Sequence, residues 1–109
     1  MLLTNKAKED FERWLYSNDV LIKDGIYDDT YLTDVFEELP LNLQYASIIE
    51  WFDSVGIYVN SSGLTLSKAF ISDVSVDNNC EYNYDGFRTR KEALIEAIKK
   101  ANEIYNEKK

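Results

Sequence analysis

Ile57-Tyr-Val-Asn-Ser-Ser-Gly-Leu64, Thr65-Leu-Ser-Lys-Ala-Phe-Ile-Ser-Asp-Val-Ser-Val76, Asp77-Asn-Asn79 and Cys80-Glu-Tyr-Asn-Tyr84 form the stretch that decides the fold. From Leu64 to Val76 the even positions are Leu64, Leu66, Lys68, Phe70, Ser72, Val74 and Val76. The odd positions between them are Thr65, Ser67, Ala69, Ile71, Asp73 and Ser75. A largely apolar set alternating with a largely polar one is the pattern of a sheet buried on one face. Ile57-Tyr-Val-Asn60 is rich in strand formers, and Ser61-Ser62-Gly63 reads as a turn after it. The run from Leu64 to Val76 is long for one strand, so a bend is expected near Ser67-Lys68. Asp77-Asn78-Asn79 is a hairpin signal, because Asn and Asp tolerate positive φ. Cys80, Tyr82 and Tyr84 then alternate with Glu81, Asn83 and Asp85, and Asp85-Gly86 ends the strand or bends it before Phe87.

Helices flank this sheet. Ala7, Phe11, Trp14 and Leu15 recur at spacings of three and four, predicting a helix from about Asn5 to Ser17, with Thr4 or Asn5 as its cap. Pro40 suits the first turn of a second helix. Leu41, Tyr45, Ile48, Ile49, Phe52 and Val55 form its apolar face, Trp51 lies on its flank, and Gly56 is placed to end it. Thr89-Arg-Lys-Glu92 is a capping box, followed by the stripe Leu94, Ala97, Ile98, Ala101, Ile104 and Tyr105. Residues 18–39 are the least periodic part, with a turn at Asp24-Gly25 and a capping-box relation between Asp34 and Glu37.

The order helix, irregular segment, helix, three strands, helix predicts an α+β fold. The expected architecture is a three-stranded antiparallel meander with about three helices packed mainly on one face. A length of 109 residues predicts a single domain, 1–109. A chain of this size buries roughly two thirds of its unfolded surface, enough for one core. No run of 18 apolar residues is present, so no transmembrane helix is expected. The start, Met1-Leu-Leu-Thr-Asn-Lys6, turns charged too soon for a signal peptide, so the expected location is the cytoplasm.

Charge is divided unevenly. Residues 1–60 carry twelve Asp/Glu against four Lys/Arg, whereas residues 61–109 carry eight of each, so the first half holds the whole net charge of −8. Asp19 to Asp53 has nine acids and one base, Lys23, interleaved with Tyr27, Tyr31, Phe36, Tyr45 and Trp51. Such a field repels nucleic acid and anionic membrane and attracts basic protein surface. Aromatics among acids on an irregular segment suit interface anchors, and Tyr16, Tyr27, Tyr31 and Trp51 are the ones least forced into the core by periodicity.

Much chemistry is excluded. There is no histidine, so no Ser-His-Asp or Cys-His arrangement exists within the chain. One cysteine, Cys80, allows no intrachain disulfide and no usual zinc set, and on its strand it reads as a small core residue. Four scattered glycines make no phosphate-binding loop. Asp28-Asp29 and Glu37-Glu38 could hold Mg²⁺ or form an acid/base pair, but in a segment this acidic such pairs arise without purpose. The alternation Asp77, Asn79, Glu81, Asn83, Asp85 lacks the glycine and terminal Glu of an EF-hand loop. No cofactor and no metal are expected. Arg88, Arg90 and Lys91 form a basic cluster at the start of the last helix, expected to pair with the acidic half rather than to bind phosphate.

Lys8-Glu-Asp-Phe-Glu-Arg-Trp14, Leu39-Pro-Leu-Asn-Leu-Gln-Tyr45, Glu50-Trp-Phe-Asp-Ser-Val-Gly-Ile57, Phe87-Arg-Thr-Arg-Lys-Glu-Ala93 and Glu103-Ile-Tyr-Asn106 resemble segments of small accessory proteins of tailed phages and prophages. These are helix starts and core stripes, so no catalytic residue is carried over. The resemblance implies an α+β domain with an accessory role in a bacterial cell, and anti-CRISPR and anti-restriction inhibitors are among such proteins.

Together these readings give a non-enzymatic protein-binding module that covers the basic, nucleic-acid-binding surface of a host protein, a nuclease for example. A groove of Lys and Arg built for phosphates also holds an array of carboxylates. The expected binding residues are Asp24, Asp28, Asp29, Asp34, Glu37 and Glu38 for charge, with Tyr27 and Tyr31 as anchors. The alternatives are a homo-oligomerising or structural phage protein, and a small-molecule or nucleotide-binding domain or carboxylate-based enzyme.

Overall fold

Strand pairing runs β1-β2-β3, antiparallel throughout, in a computed structural model that describes residues 2–17, 36–64, 69–77 and 79–108. The elements in chain order are α1 (Asn5–Ser17), α2 (Leu41–Ser54), β1 (Ile57–Leu64), β2 (Ala69–Val76), β3 (Asn79–Phe87) and α3 (Arg90–Lys108). This is the expected α+β meander. Val76 pairs with Ile57 and Val74 with Val59, so these four apolar side chains share one face, and all are buried. The α3 helix crosses that face over all three strands, and α2 lies against β1. The α1 helix packs on α3 and α2, as a layer further from the sheet.

Ser61-Ser62-Gly63 is not a turn. It continues β1, with Ser61 opposite Ser72, Ser62 opposite Ile71, Gly63 opposite Phe70 and Leu64 opposite Ala69. The first strand thus ends at Leu64 and the second begins at Ala69, so the run from Leu64 to Val76 holds the end of one strand and the whole of the next, and the bend expected near Ser67-Lys68 lies outside the described residues. Packing keeps Gly63 in the strand. A β-carbon on Gly63 would stand 3.3 Å from the Phe70 ring, so the missing side chain lets that ring lie against the β1 backbone. Across the hairpin, Val76 pairs with Asn79 and Asp77 takes φ +51°, as the Asp-Asn-Asn signal requires. Two irregularities in the β2–β3 register, between Phe70 and Ser72 and between Val74 and Ser75, bend the outer strand.

The helix ends follow local chemistry. Gly56 adopts φ +83° after α2, and its amide closes on the Asp53 carbonyl at 3.2 Å. The Thr89 hydroxyl accepts the Glu92 amide at 3.0 Å, while the Glu92 carboxylate takes the Arg88 amide at 3.4 Å, close to the expected capping box. Pro40 stands at the cap of α2, one residue earlier than expected, and its carbonyl accepts the Leu43 and Gln44 amides. The start of α1 is not capped by its own Thr4 or Asn5 side chain. Asn106 of α3 accepts the Ala7 amide, and Asn102 accepts the Thr4 amide at 2.9 Å.

Trp51 is not on a flank. It is 2 % exposed and sits among Phe11, Phe52 and Tyr105, with ring centroids at 5.7, 4.8 and 4.9 Å. Phe36 joins the cluster edge-on to Phe11 at 5.1 Å. Because α2 meets β1 on one side and α1 on the other, its buried surface is wider than a one-sided helix needs, and Trp51 fills the second side.

Candidate functional site

Six of the eight expected binding residues, Asp24, Tyr27, Asp28, Asp29, Tyr31 and Asp34, lie outside the described residues. The remaining two, Glu37 and Glu38, are exposed on a turn before α2. That turn is held from both sides. Phe36 is fully buried against Phe11, and the Leu39 amide closes on the Phe36 carbonyl at 3.1 Å. The side-chain amide of buried Gln44 donates to the Glu37 and Leu39 carbonyls at 3.1 and 2.8 Å. Glu37 and Glu38 are thus displayed on a pinned backbone. Glu50 and Asp53 are also exposed, near the opposite end of α2. Its 14 residues span about 21 Å, so these carboxylates flank one helix rather than form one cluster.

Glu38, Glu50 and Asp53 make no ion pair with a base of the described residues. Among the described residues every ion pair lies within one helix: Lys6–Asp10, Arg13–Asp10, Lys99–Glu96 and Lys100–Glu103. Arg88, Arg90 and Lys91 make no ion pair with a carboxylate of the described residues, and most of the acidic segment they are expected to pair with lies outside those residues. Arg90 instead lies over the Phe70 ring, 5.7 Å from its centroid. Residues close in charge pattern are separated by the sheet register, which sends Arg90 to the Gly63–Phe70 end of the molecule.

Two features escaped the sequence reading. The first is the outer strand β3, which pairs only with β2 among the described residues. Tyr84 is 63 % exposed and stacks on Tyr82 at 6.4 Å, with Phe87 edge-on at 6.1 Å. Cys80 is exposed rather than in the core, its thiol 3.6 Å from Asp73 Oδ1. Alternation alone marks a buried face only where a helix covers it, and at the outer strand the cover runs out. The second is a groove of about 610 Å³ between the N-terminal halves of α2 and α3. Leu41, Tyr45, Ile49 and Leu94 line it, with Arg90 and Lys91 at its α3 edge. Helical spacing identifies such residues as a stripe but does not reveal that two stripes splay apart.

The described carboxylates do not converge. Among the described residues no group of three His, Cys, Asp or Glu side chains could hold a metal ion. Asp10 is set in a network with Lys6, Arg13 and Tyr105. Burial works to raise its pKa, but the Tyr105 hydroxyl, Lys6 and Arg13 outweigh this and hold it below its ordinary value. Tyr105 donates to Asp10 Oδ2, and burial followed by that bond pushes its hydroxyl up to about 12. This pair ties α1 to α3 within the fold. None of the helices in the described residues is long and apolar enough to cross a membrane. No family model, curated protein or solved structure matches the chain.

Proposed function

We propose that this chain is a non-enzymatic protein-binding module of a phage or mobile element, which lays an acidic surface on the basic, nucleic-acid-binding surface of a host protein. Inhibition of a host defence nuclease, in the manner of an anti-CRISPR or anti-restriction protein, is the role this mode of binding serves. The observation that carries the reading is the separation of charge. Glu38, Glu50 and Asp53 are exposed and make no ion pair among the described residues, where Lys6, Arg13, Lys99 and Lys100 pair within their own helices and Arg90 lies over a ring. Carboxylates without an ion pair among the described residues suit an external basic surface. The net charge of −8 speaks against nucleic acid as the direct ligand.

The test is a pull-down from bacterial lysate with tagged protein at low and high salt, repeated with the Glu38→Lys, Glu50→Lys, Asp53→Lys triple variant and with Asp28→Lys, Asp29→Lys. Recovery of a nucleic-acid-handling protein at low salt, lost at high salt and reduced in both variants, is the expected result. Capture that ignores salt and both reversals would remove the acidic surface from the mechanism.

A further inference from the structure

The groove between α2 and α3 differs in sign from the acidic surface and is independent of it. Tyr45 is buried at its floor, Ile49 and Leu94 are half-buried, and Leu41 is 48 % exposed. A leucine this open on the first turn of a helix, continuous with an apolar floor, gives the groove a surface that water solvates poorly. Arg90 and Lys91 stand at its edge, with no ion pair among the described residues. Glu92 does not neutralise them. It projects from a different side of α3, and its carboxylate is engaged by the Arg88 amide.

Backbone polarity adds to the same sign. Hairpin connections between the strands place Gly63, Phe70 and Phe87 at one end of the sheet, and α3 starts just beyond Phe87. The groove opens at the first turns of both helices, where the Thr89–Glu92 box offsets the positive end of α3 and that of α2 borders it. The α2 end has no side-chain cap and no acid in its first turn. Glu37 and Glu38 precede it on a turn fastened by the Gln44 side chain, and neither of them lines the groove. Arg90 is held in place by its seat over Phe70, so its guanidinium presents fixed donors to a carboxylate.

We propose that this groove docks a short segment of a partner protein in which apolar side chains adjoin one or two carboxylates. The apolar side chains rest on Leu41, Tyr45, Ile49 and Leu94, and the carboxylates meet Arg90 and Lys91. Charge complementarity selects this occupant. A basic segment would meet two cations and the uncapped start of α2, and a purely apolar one would leave the cations unused. The chain's overall charge of −8 disfavours a strongly acidic ligand, which limits the carboxylates to those the groove contacts directly.

A random 12-residue peptide library displayed against the full chain tests this, with counter-selection on the Leu41→Glu variant. Leu41 is half exposed, so that change leaves the core intact. Enriched peptides are expected to carry Leu, Ile or Phe beside Asp or Glu. Binding of a synthetic enriched peptide, read by fluorescence anisotropy, should weaken at least about tenfold with Arg90→Glu and with Leu41→Glu. Amide resonances of residues 41–49 and 90–94 should shift on titration. Enrichment of basic or uncharged peptides overturns the proposed chemistry, and failure to enrich anything over the Leu41→Glu target overturns the site. Self-association that Leu41→Glu abolishes, measured by light scattering, would assign the groove to a second copy and overturn the proposal. None of these outcomes bears on Glu38, Glu50 or Asp53.

Discussion

Asn106 accepts the Ala7 backbone N–H at 2.8 Å, across 99 positions of sequence. Its side-chain amide donates to the Thr4 carbonyl at 3.0 Å, and Asn102 binds the Thr4 amide and hydroxyl beside it. The last helix thus does for α1 what a local capping residue does elsewhere. Replacing Asn106 leaves the Ala7 amide in the first turn of α1 without this partner. Asn106→Ala is expected to cost about 1–2 kcal/mol, the range for loss of an N-cap. In urea denaturation the midpoint should fall with no change in slope. The Asn102→Ala, Asn106→Ala double variant should lose less than the sum, because the two side chains share Thr4 as partner.

Tyr105 makes stability sensitive to pH at both extremes. Its hydroxyl is raised to about 12 from an ordinary value of 10.0, so the neutral, donating form is favoured in the fold. That contribution is complete below about pH 10 and is lost as pH rises towards about 12. Asp10 is held below its ordinary 3.8, so its contribution is present above that pH and is lost as acid takes the folded state through its lowered value. Tyr105→Phe should flatten the alkaline limb of a Tm-against-pH profile and leave Asp10 with Lys6 and Arg13. An alkaline limb unchanged in the variant would place its origin elsewhere.

Ser72 is fully buried in β2, and its hydroxyl faces that of Tyr82 without a hydrogen bond of good geometry among the described residues. It lies between Ser61 on β1 and Tyr84 on β3. An unsatisfied buried hydroxyl costs about 1–3 kcal/mol, and alanine at this position removes it with little change in volume. Ser72→Ala is expected to stabilise the protein, raising Tm by about 4–8 °C for each kcal/mol gained. A fall in Tm would show that the hydroxyl is satisfied in solution.

What the sequence disclosed follows from how local each signal is. The alternation through Phe70, Ser72, Val74 and Val76 depends only on strand geometry, and it identified the buried face correctly. The Thr89–Glu92 box and the left-handed Gly56 are equally local. Errors arose where a distant partner decides. Gly63 looked like a turn because the Phe70 ring that needs its bare backbone is seven residues away. Trp51 looked like an anchor because nothing on α2 announces that α1 will cover it. Thr4 looked like a cap, although its hydroxyl accepts from Asn102 and Asn106 of the last helix. At the candidate site, composition revealed the sign of the charge but not its spacing: Glu37 and Glu38 precede α2, while Glu50 and Asp53 lie towards its far end. The groove needed the splay of two helices, a property of packing alone.

Charge reversal of the acidic surface should separate binding from folding. Glu38, Glu50 and Asp53 are exposed and support no ion pair among the described residues, so the fold does not depend on their sign. Exposed substitutions away from caps and buried networks have small effects. The triple Lys variant moves the net charge from −8 to −2, which also relieves repulsion within the chain. Its Tm is expected to stay within about 3 °C of the parent or to rise. Loss of a salt-sensitive partner at unchanged Tm would then report on the surface itself. If the variant instead unfolds, these carboxylates serve the fold, and the separation of charge that supports the proposed function loses its meaning.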